Sequence, residues 1–345
     1  MRRRWSITLI TLTLMAQPVL GQEDSDLLKR TKISGLVIGD AYWMAAHHNG
    51  DIEDQNGFWF RRIYLTFDHT LDPAWDLRLR FEHNSPGDFE SSDKLDPFVK
   101  DAYVRWKESG HSIYLGISGT PIWGVVEPFW GYRSVEKTVL DLQKLGSSRD
   151  FGVAFKGRFD EAGKVRYHAM FGTGSGTKGE TNKGKKGQVS IGFYPTKSWL
   201  IEFYGDYEDR PGDTDRGVFQ VFTGWQSEQG RVGFQVARQH REIEDGESLD
   251  LDIGSVFGVW NASPRAAILA RYDRMFDPNP DAAKIAYLPM DPTAKSNLAL
   301  FGVDFELHEQ VHLIPNAEIV FYDDVDDGPT PNTDVAIRTT IFVTF

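Results

Sequence analysis

The charged groups of this chain recur at every second residue. Arg78 and Arg80 alternate with Leu77, Leu79 and Phe81 in "AWDLRLRFEHN", and Arg62, Tyr64 and Thr66 alternate with Ile63, Leu65 and Phe67 in "FWFRRIYLTFDHT". In "DAYVRWKE", Asp101, Tyr103 and Arg105 share one parity. Period two puts such residues on one face of an extended strand and the apolar set on the other. A guanidinium stays charged at any working pH and carries only donors, so a face of them attracts anions or holds carboxylates without making or breaking a bond. The spacing predicts a charged wall made of Arg62, Tyr64, Arg78, Arg80, Glu82, Asp101, Tyr103 and Arg105, extended by Lys156, Arg166, Arg271 and Arg338. Acidic side chains at Glu202, Asp206, Asp250, Asp252, Asp304, Glu306 and Glu318 are expected on an opposing arc. Two such arcs would set a transverse field, a device by which pores tune ion preference.

Bond-making chemistry is poorly supplied. His69, His83, His168, His240, His308 and His312 fall in strand-like segments without a serine beside them, whereas a nucleophile needs a base at hydrogen-bond distance. His47, His48 and Asp51 could ligate a metal, but their loop is polar and reads as a solvated tip. In "DDVDDG" at 323–328 a valine stands at a calcium-ligand position and no glutamate closes the loop. Gly174, Gly176 and Gly179 have the spacing of a dinucleotide fingerprint, yet the basic "ETNKGKKG" that follows opens no helix. That loop could instead attract anions or lipopolysaccharide phosphates. With no cysteine, disulfides and thiolate sites are excluded. The expectation is no catalytic residue, no metal and no cofactor. A net charge of −12 argues against nucleic acid as a partner.

Alternation of this kind recurs from about residue 31 to the last residue, in about sixteen segments of roughly ten residues, the length of a tilted strand crossing a hydrocarbon layer. The connections alternate too. Tight turns such as "LDPAW", "KESGH" and "SEQGR" interleave with long polar loops such as "HHNGDIEDQNG" and "GTGSGTKGETNKGKKG". A soluble sandwich has no reason to keep that rhythm, whereas a transmembrane antiparallel β-barrel does. The first residues, "MRRRWSITLITLTLMAQPVLGQ", have the basic, apolar and small-residue regions of a secretory signal peptide. The domain reading is a signal peptide at 1–21 and an outer-membrane barrel at 22–345. The last strand, "AIRTTIFVTF", alternates up to Phe345, as expected of a strand that closes a barrel against the first. Trp43, Trp59, Trp75, Trp106, Trp199 and Trp225 near strand ends are expected in aromatic girdles.

One connection, 120–148, is too long for a turn. Ser134 and Gly146 bracket an apolar stripe of Val135, Val139, Leu142 and Leu145, predicting a helix over 134–145. A loop of this length is usually functional, and here it is expected to fold into the barrel. Its Glu127, Arg133, Glu136 and Lys137 would set a constriction; an extracellular cap or a subunit latch is the competing reading.

Over about 58–172 the chain resembles the phosphate-selective porins O and P. The resemblance is carried by "RRIYLTFDHTLDPAWDLRLRFE", "KDAYVRWKESGHSIYLGISGTPIWG", "YRSVEK" and "SSRDFGVAFKG". It places Arg61, Arg62, Asp101, Tyr103, Gly116, Pro121, Arg133, Ser134, Arg149, Asp150 and Gly152 on that family's pattern. It implies a sixteen-stranded barrel, a third loop folded inward, a homotrimer, and insertion by the barrel-assembly machinery through the C-terminal strand. The surplus of acidic residues departs from a family whose selectivity rests on inward arginines and lysines, and speaks against a phosphate channel. The function expected is passive diffusion of small hydrophilic or charged solutes across a bacterial outer membrane, among lipids and lipopolysaccharide. The alternatives are a barrel enzyme of lipase or protease type and a non-conducting structural barrel.

Overall fold

The computed structural model describes residues 27–244, 246–325 and 328–345; the leader expected at 1–21 lies outside them. The chain forms β1 (Thr31–Ala46), β2 (Asn56–Thr70), β3 (Trp75–His83), β4 (Phe98–Glu108), β5 (His111–Gly119), β6 (Arg149–Arg158), β7 (Val165–Gly172) and β8 (Lys186–Phe193). It continues with β9 (Trp199–Glu208), β10 (Arg216–Ser227), β11 (Gly230–Arg241), β12 (Leu249–Ser263), β13 (Ala266–Met275), β14 (Ser296–His308), β15 (Val311–Tyr322) and β16 (Asp334–Thr344). Each strand pairs with its neighbours, and β1 pairs with β16, so the sheet is a closed antiparallel barrel. The seam runs from Leu36 opposite Thr344 to Met44 opposite Ala336. Phe345 completes it, donating to the Gly35 carbonyl at 3.1 Å and accepting from the Gly35 N–H at 2.9 Å. Its ring occupies the space a Cβ on Gly35 would need.

The outer face is a continuous apolar band, with Leu65, Leu115, Phe155, Phe203, Phe301 and Ile341 among its exposed side chains. No helix among the described residues is long and apolar enough to cross a membrane. The spanning elements are the strands, whose backbone groups are satisfied in the ladders. Trp43, Trp75, Trp199 and Trp225 are exposed near strand ends, as girdle positions require. Trp59 differs from expectation. Between β1 and β2 the register passes from Ile38 opposite Arg62 to Gly39 opposite Phe60, leaving Arg61 as an extra residue. This bulge changes the parity of the strand beyond it. Trp59 therefore turns inward, stacks on Tyr42 at 3.6 Å and donates to Asp40 at 2.8 Å.

Parity is also reversed from expectation on β12. Leu251 and Ile253 point inward and are buried, so Asp250 and Asp252 lie on the outer wall, where Asp252 pairs with Arg238 at 2.5 Å and Asp250 with His240 at 2.7 Å. The cause is the third loop, which gives this part of the lumen an apolar lining.

That loop contains a short turn at Pro121–Trp123, α1 (Val126–Trp130) and α2 (Val139–Leu142). Gly131, at φ 72°, ends α1 in the left-handed conformation. The helix expected over 134–145 is reduced to the single turn of α2. The carbonyls of Ser134 and Val135 accept from Arg61, that of Glu136 from the Trp130 indole and that of Lys137 from Arg271. Carbonyls so oriented are not available to helical N–H donors four residues on. The hydrophobic spacing survives without the helix: Val135, Val139, Leu142 and Leu145 are all buried.

Candidate functional site: a lumen divided by the third loop

The loop is anchored to one side of the barrel by an interior core. Val126, Phe129, Trp130, Tyr132 and Val135 pack on Leu200, Phe222, Phe257, Leu269, Leu300 and Ile314, inner-face residues of β9, β10 and β12 to β15. Ile122, Trp123, Val139, Leu140 and Leu145 pack on Tyr204, Val218, Ala237, Leu251, Ile253 and Met275. Paired strands provide the recess: Gly224 lies opposite Gly233, and a Cβ on either would strike the ring of Phe129 or Phe257 respectively. Burial of this kind stabilises by about 25 cal/mol per Å² of apolar surface removed from water.

Polar clamps complete the anchorage. Arg231 donates to the Trp130 carbonyl at 3.0 Å, Gln239 to that of Leu145 at 2.9 Å, and Tyr132 to Asp304 at 3.0 Å. Arg61, held by Asp40 at 2.5 Å, grips Ser134 and Val135. Arg271 pairs with Asp273 at 2.5 Å and donates to the Lys137 carbonyl. Arg338 bonds Glu318 at 2.6 Å, the Tyr287 carbonyl at 2.7 Å and Glu136 at 3.4 Å. Arg271 and Arg338 are on the inner face as the spacing predicts, but both are buried and bound to the loop or its neighbours, not part of an open wall. Glu136 likewise is buried. Burial pushes its carboxyl up, but Lys137, Arg338 and Arg61 outweigh that and hold it below the usual carboxylate range.

On its other side the loop leaves a cavity of about 270 Å³ against β1 to β3 and β6, lined among others by Arg62, Tyr64, Arg80, Glu127, Arg133 and Arg149. Five of the predicted wall and constriction residues (Arg62, Tyr64, Arg80 and, from the loop, Glu127 and Arg133) thus meet where the loop faces the wall. Arg62 pairs with Glu82 at 3.0 Å, and Glu82 also with Lys100 at 2.9 Å. Arg80 reaches Asp101 at 3.3 Å, and Arg149 shares that carboxylate. Arg133 bridges Glu127 and Asp141, both at 2.9 Å. The Tyr64 ring lies between two guanidinium groups, 4.7 Å from Arg80 and 5.2 Å from Arg62. Lys137 has no carboxylate within 4.0 Å among the described residues, and burial lowers its pKa from the ordinary lysine value. Every carboxylate named here is shared or matched, and the cations outnumber them.

The remaining predicted residues lie toward the short-turn end. Arg78 pairs with Asp68 at 2.7 Å and Arg105 with Asp76 at 2.6 Å; Tyr103 packs edge-on against Tyr114. Lys156 sits 4.9 Å from the Tyr114 ring and Arg166 sits 4.2 Å from that of Tyr194. Across the lumen, Asp304, Glu306 and His312 line a second cavity of about 530 Å³. The basic arc from β2 to β7 and this acidic patch therefore face each other, while Glu202 and Glu318 are sealed under the loop.

Asp40, Lys100 and Asp141 escape the reading by alternation. Lys100 is the extra residue of a second bulge, where Arg80 lies opposite Asp101 but Phe81 opposite Val99, so Lys100 and Asp101 both face inward. The signal, visible in hindsight, is two adjacent polar residues in a strand otherwise of period two.

The histidine pair does not read as a metal centre. His47, His48 and Asp334, not Asp51, come together. Asp334 already accepts from the His48 N–H at 2.6 Å and from Tyr322 at 2.5 Å, and the His47 ring bonds the Asn49 N–H and the Pro289 carbonyl. The group is a clasp between the first loop, β15 and β16, and burial lowers the pKa of His47.

No family model matches the chain, and no curated protein matches its sequence. Solved structures do match its fold. An anion-selective porin from Comamonas acidovorans aligns with a TM-score of 0.65 at 11% identity, covering 91% of this chain and 99% of its own. OmpF of Salmonella typhi, in complex with daunomycin, aligns at 0.67 and 11% identity, over 91% and 97%. The outer-membrane channel DcaP of Acinetobacter baumannii aligns at 0.65 and 13%, over 91% and 97%. The fold is thus a sixteen-stranded closed barrel of the kind seen in outer-membrane porins. The likeness extends to such porins in general, not specifically to the phosphate-selective branch.

Proposed function

We propose that the chain is a passive diffusion channel of a bacterial outer membrane, exported by cleavage at about residue 21 and admitting small hydrophilic solutes with a preference for anions. The observation that carries this reading is the cavity between the third loop and the β1–β3 wall, where the charged lining is Arg62, Arg80, Arg133 and Arg149 against Glu127, with Glu82, Asp101 and Asp141 as ion-pair partners behind them. Surplus cations in a narrow, partly desolvated passage focus field and raise local anion concentration, whatever the charge of the whole chain. Glu127, Arg133 and Lys137 then set the constriction, with Arg62, Tyr64, Arg80 and Arg149 as the opposite wall. Glu136 acts by holding the loop. Arg78, Tyr103, Arg105, Lys156 and Arg166 line the exit.

The motif match to the phosphate-selective porins O and P and the porins among the structural relatives support a diffusion channel, and the anion preference rests on the lining of the cavity. A homotrimer, contact with lipopolysaccharide and recognition of the last strand by the barrel-assembly machinery belong to the proposal. Solutes pass without chemical change.

The test is single-channel recording of the refolded mature protein in a planar bilayer under a salt gradient. Discrete conductance steps with an anion-selective reversal potential support the proposal. Silence from a folded barrel overturns the channel, and a cation-selective potential overturns the assigned preference.

A further inference from the structure

A third polar cavity, about 500 Å³, opens at the long-loop end, away from the gap beside Arg62 and Arg133. The end of the third loop, the glycine-rich loop after β7 and the loop after β9 wall it, and Arg216 and Gln239 on the inner faces of β10 and β11 form part of its floor. Its lining holds five basic side chains, Lys144, Lys178, Lys186, Arg210 and Arg216, against two acidic ones, Glu208 and Asp209. That excess is local, in a chain of net charge −12.

Ion pairing does not absorb it. Lys186 meets Asp206 at 3.0 Å and Glu208 at 3.4 Å, and Arg210 reaches Glu208 at 3.7 Å. Lys144, Lys178 and Arg216 have no carboxylate within 4.0 Å among the described residues. Arg216 lies directly opposite Arg241 in the β10–β11 ladder, on the same face. Arg241 is 5% exposed; it spends Nε on Gln239 at 2.6 Å and one terminal nitrogen on Asp281 at 2.8 Å, and the other terminal nitrogen has no acceptor. Like charges directly opposed on paired strands repel, and a buried donor without an acceptor is costly. An anion held beside Arg216 relieves the first cost and supplies acceptors where the wall has donors.

The rest of the lining says what else that anion carries. Thr173, Ser175, Thr181, Asn182 and Gln239 offer hydroxyl and amide groups, and no aromatic ring lines the cavity. Gly174 and Gly176, at φ 74° and 70°, hold this wall in the left-handed conformation, packed against Glu208 and Ser147. The volume suits a small organic molecule, within the range of about 300–1,000 Å³ typical of ligand sites, and is far more than a bare inorganic anion needs.

We propose that this cavity binds a hydroxylated organic anion, a body of hydroxyl groups bearing one carboxylate or phosphate, on the scale of a sugar acid or a sugar phosphate. Resting on the channel reading, it is the first stop of such a solute before the constriction.

Calorimetric titration of the detergent-folded full chain with gluconate, glucose 6-phosphate, glucose and inorganic phosphate tests it. Gluconate or glucose 6-phosphate binds, and glucose and inorganic phosphate bind at least about tenfold more weakly, because each lacks half of the recognised chemistry. Which of the two sugar anions binds tighter distinguishes carboxylate from phosphate. Arg216→Gln weakens binding about tenfold or more through loss of a charge-assisted pair. Lys144→Gln, at an exposed loop position, weakens it less and serves where the first variant does not fold. Inorganic phosphate binding as tightly as the sugar anions, affinity unmoved in both variants, or no binding at all overturns the site. The same solutes added to the long-loop side of a bilayer separate the two proposals. Binding with a silent bilayer retains the site and removes the channel, whereas conductance without binding does the reverse.

Discussion

Replacing Arg338 with methionine tests whether the third loop is latched by buried charge. Arg338 is 1% exposed and holds Glu318, at 0%, and Glu136, at 2%. The variant leaves both carboxylates buried without the guanidinium between them. Breaking a buried pair from one side costs about 3–5 kcal/mol, mostly the penalty of the charge left behind. The wall does not bear that cost, because the backbone of residue 338 stays paired with Tyr42 and Asn316 in the ladders on either side. It falls on docking of the loop, whose opening equilibrium rises by about two to three and a half orders of magnitude at roughly 1.4 kcal/mol per decade. Native-state hydrogen exchange reads this at the amides of Leu142 and Gln143, which donate to Thr138 and Val139, and single-channel recording reads it as a larger, noisier conductance. Adding Glu318→Leu removes one stranded charge and recovers part of the loss. Exchange at these amides within tenfold of the parent protein, with unchanged conductance, would refute the latch.

Gly224→Val places a side chain where the Phe129 ring lies 2.5 Å from the Cβ position; overpacking costs about 1–3 kcal/mol, displaces α1 and red-shifts the fluorescence of Trp130, which a tryptophan-replacement background isolates. Lys137→Met tests the half-buried amine of the loop. Because its pKa is lowered on docking, the undocked loop binds more protons between the lowered value and the ordinary value of about 10.4, so docking strengthens as pH rises through that window; the variant loses this slope in exchange measured against pH. Deleting Phe345 removes two backbone hydrogen bonds of the seam, and the transition temperature of the barrel in detergent falls, with about 0.5–1.5 kcal/mol expected per bond.

Legibility followed the physics of each element. The wall from Arg62 to Arg105 was readable because lipid outside and water inside impose opposite chemistry on neighbouring residues, and a charge facing hydrocarbon is too costly to leave the register ambiguous. That argument failed at Trp59 and Lys100, where a bulge inserts one residue and the only mark of the change of face is a pair of adjacent polar residues, Arg61-Arg62 and Lys100-Asp101. It failed at Asp250 and Asp252 for a different reason: the inner side of β12 is covered by the loop, so its apolar residues face inward and its acids outward. The loop was visible by length and apolar spacing, but the helix over 134–145 was not decidable, since arginines distant in sequence claim the carbonyls it would need. The gap beside Arg133 depends on which side of the lumen the loop leans against, and that is set by glycines on β10 and β11 with no local pattern of their own.

The apolar seat of the third loop also gives this barrel an unusual thermal character. Its wall is held by hydrogen-bonded ladders in lipid, but the loop is held largely by burial of Phe129, Trp130, Leu140 and their neighbours away from lumen water. Such contacts carry a large heat-capacity change and weaken on cooling. Wall and loop therefore answer to temperature differently near the cold end: the ladders keep their hold, while the apolar share of the loop's seat weakens and more of its docking falls to the clamps from Arg61, Arg231, Arg271 and Arg338.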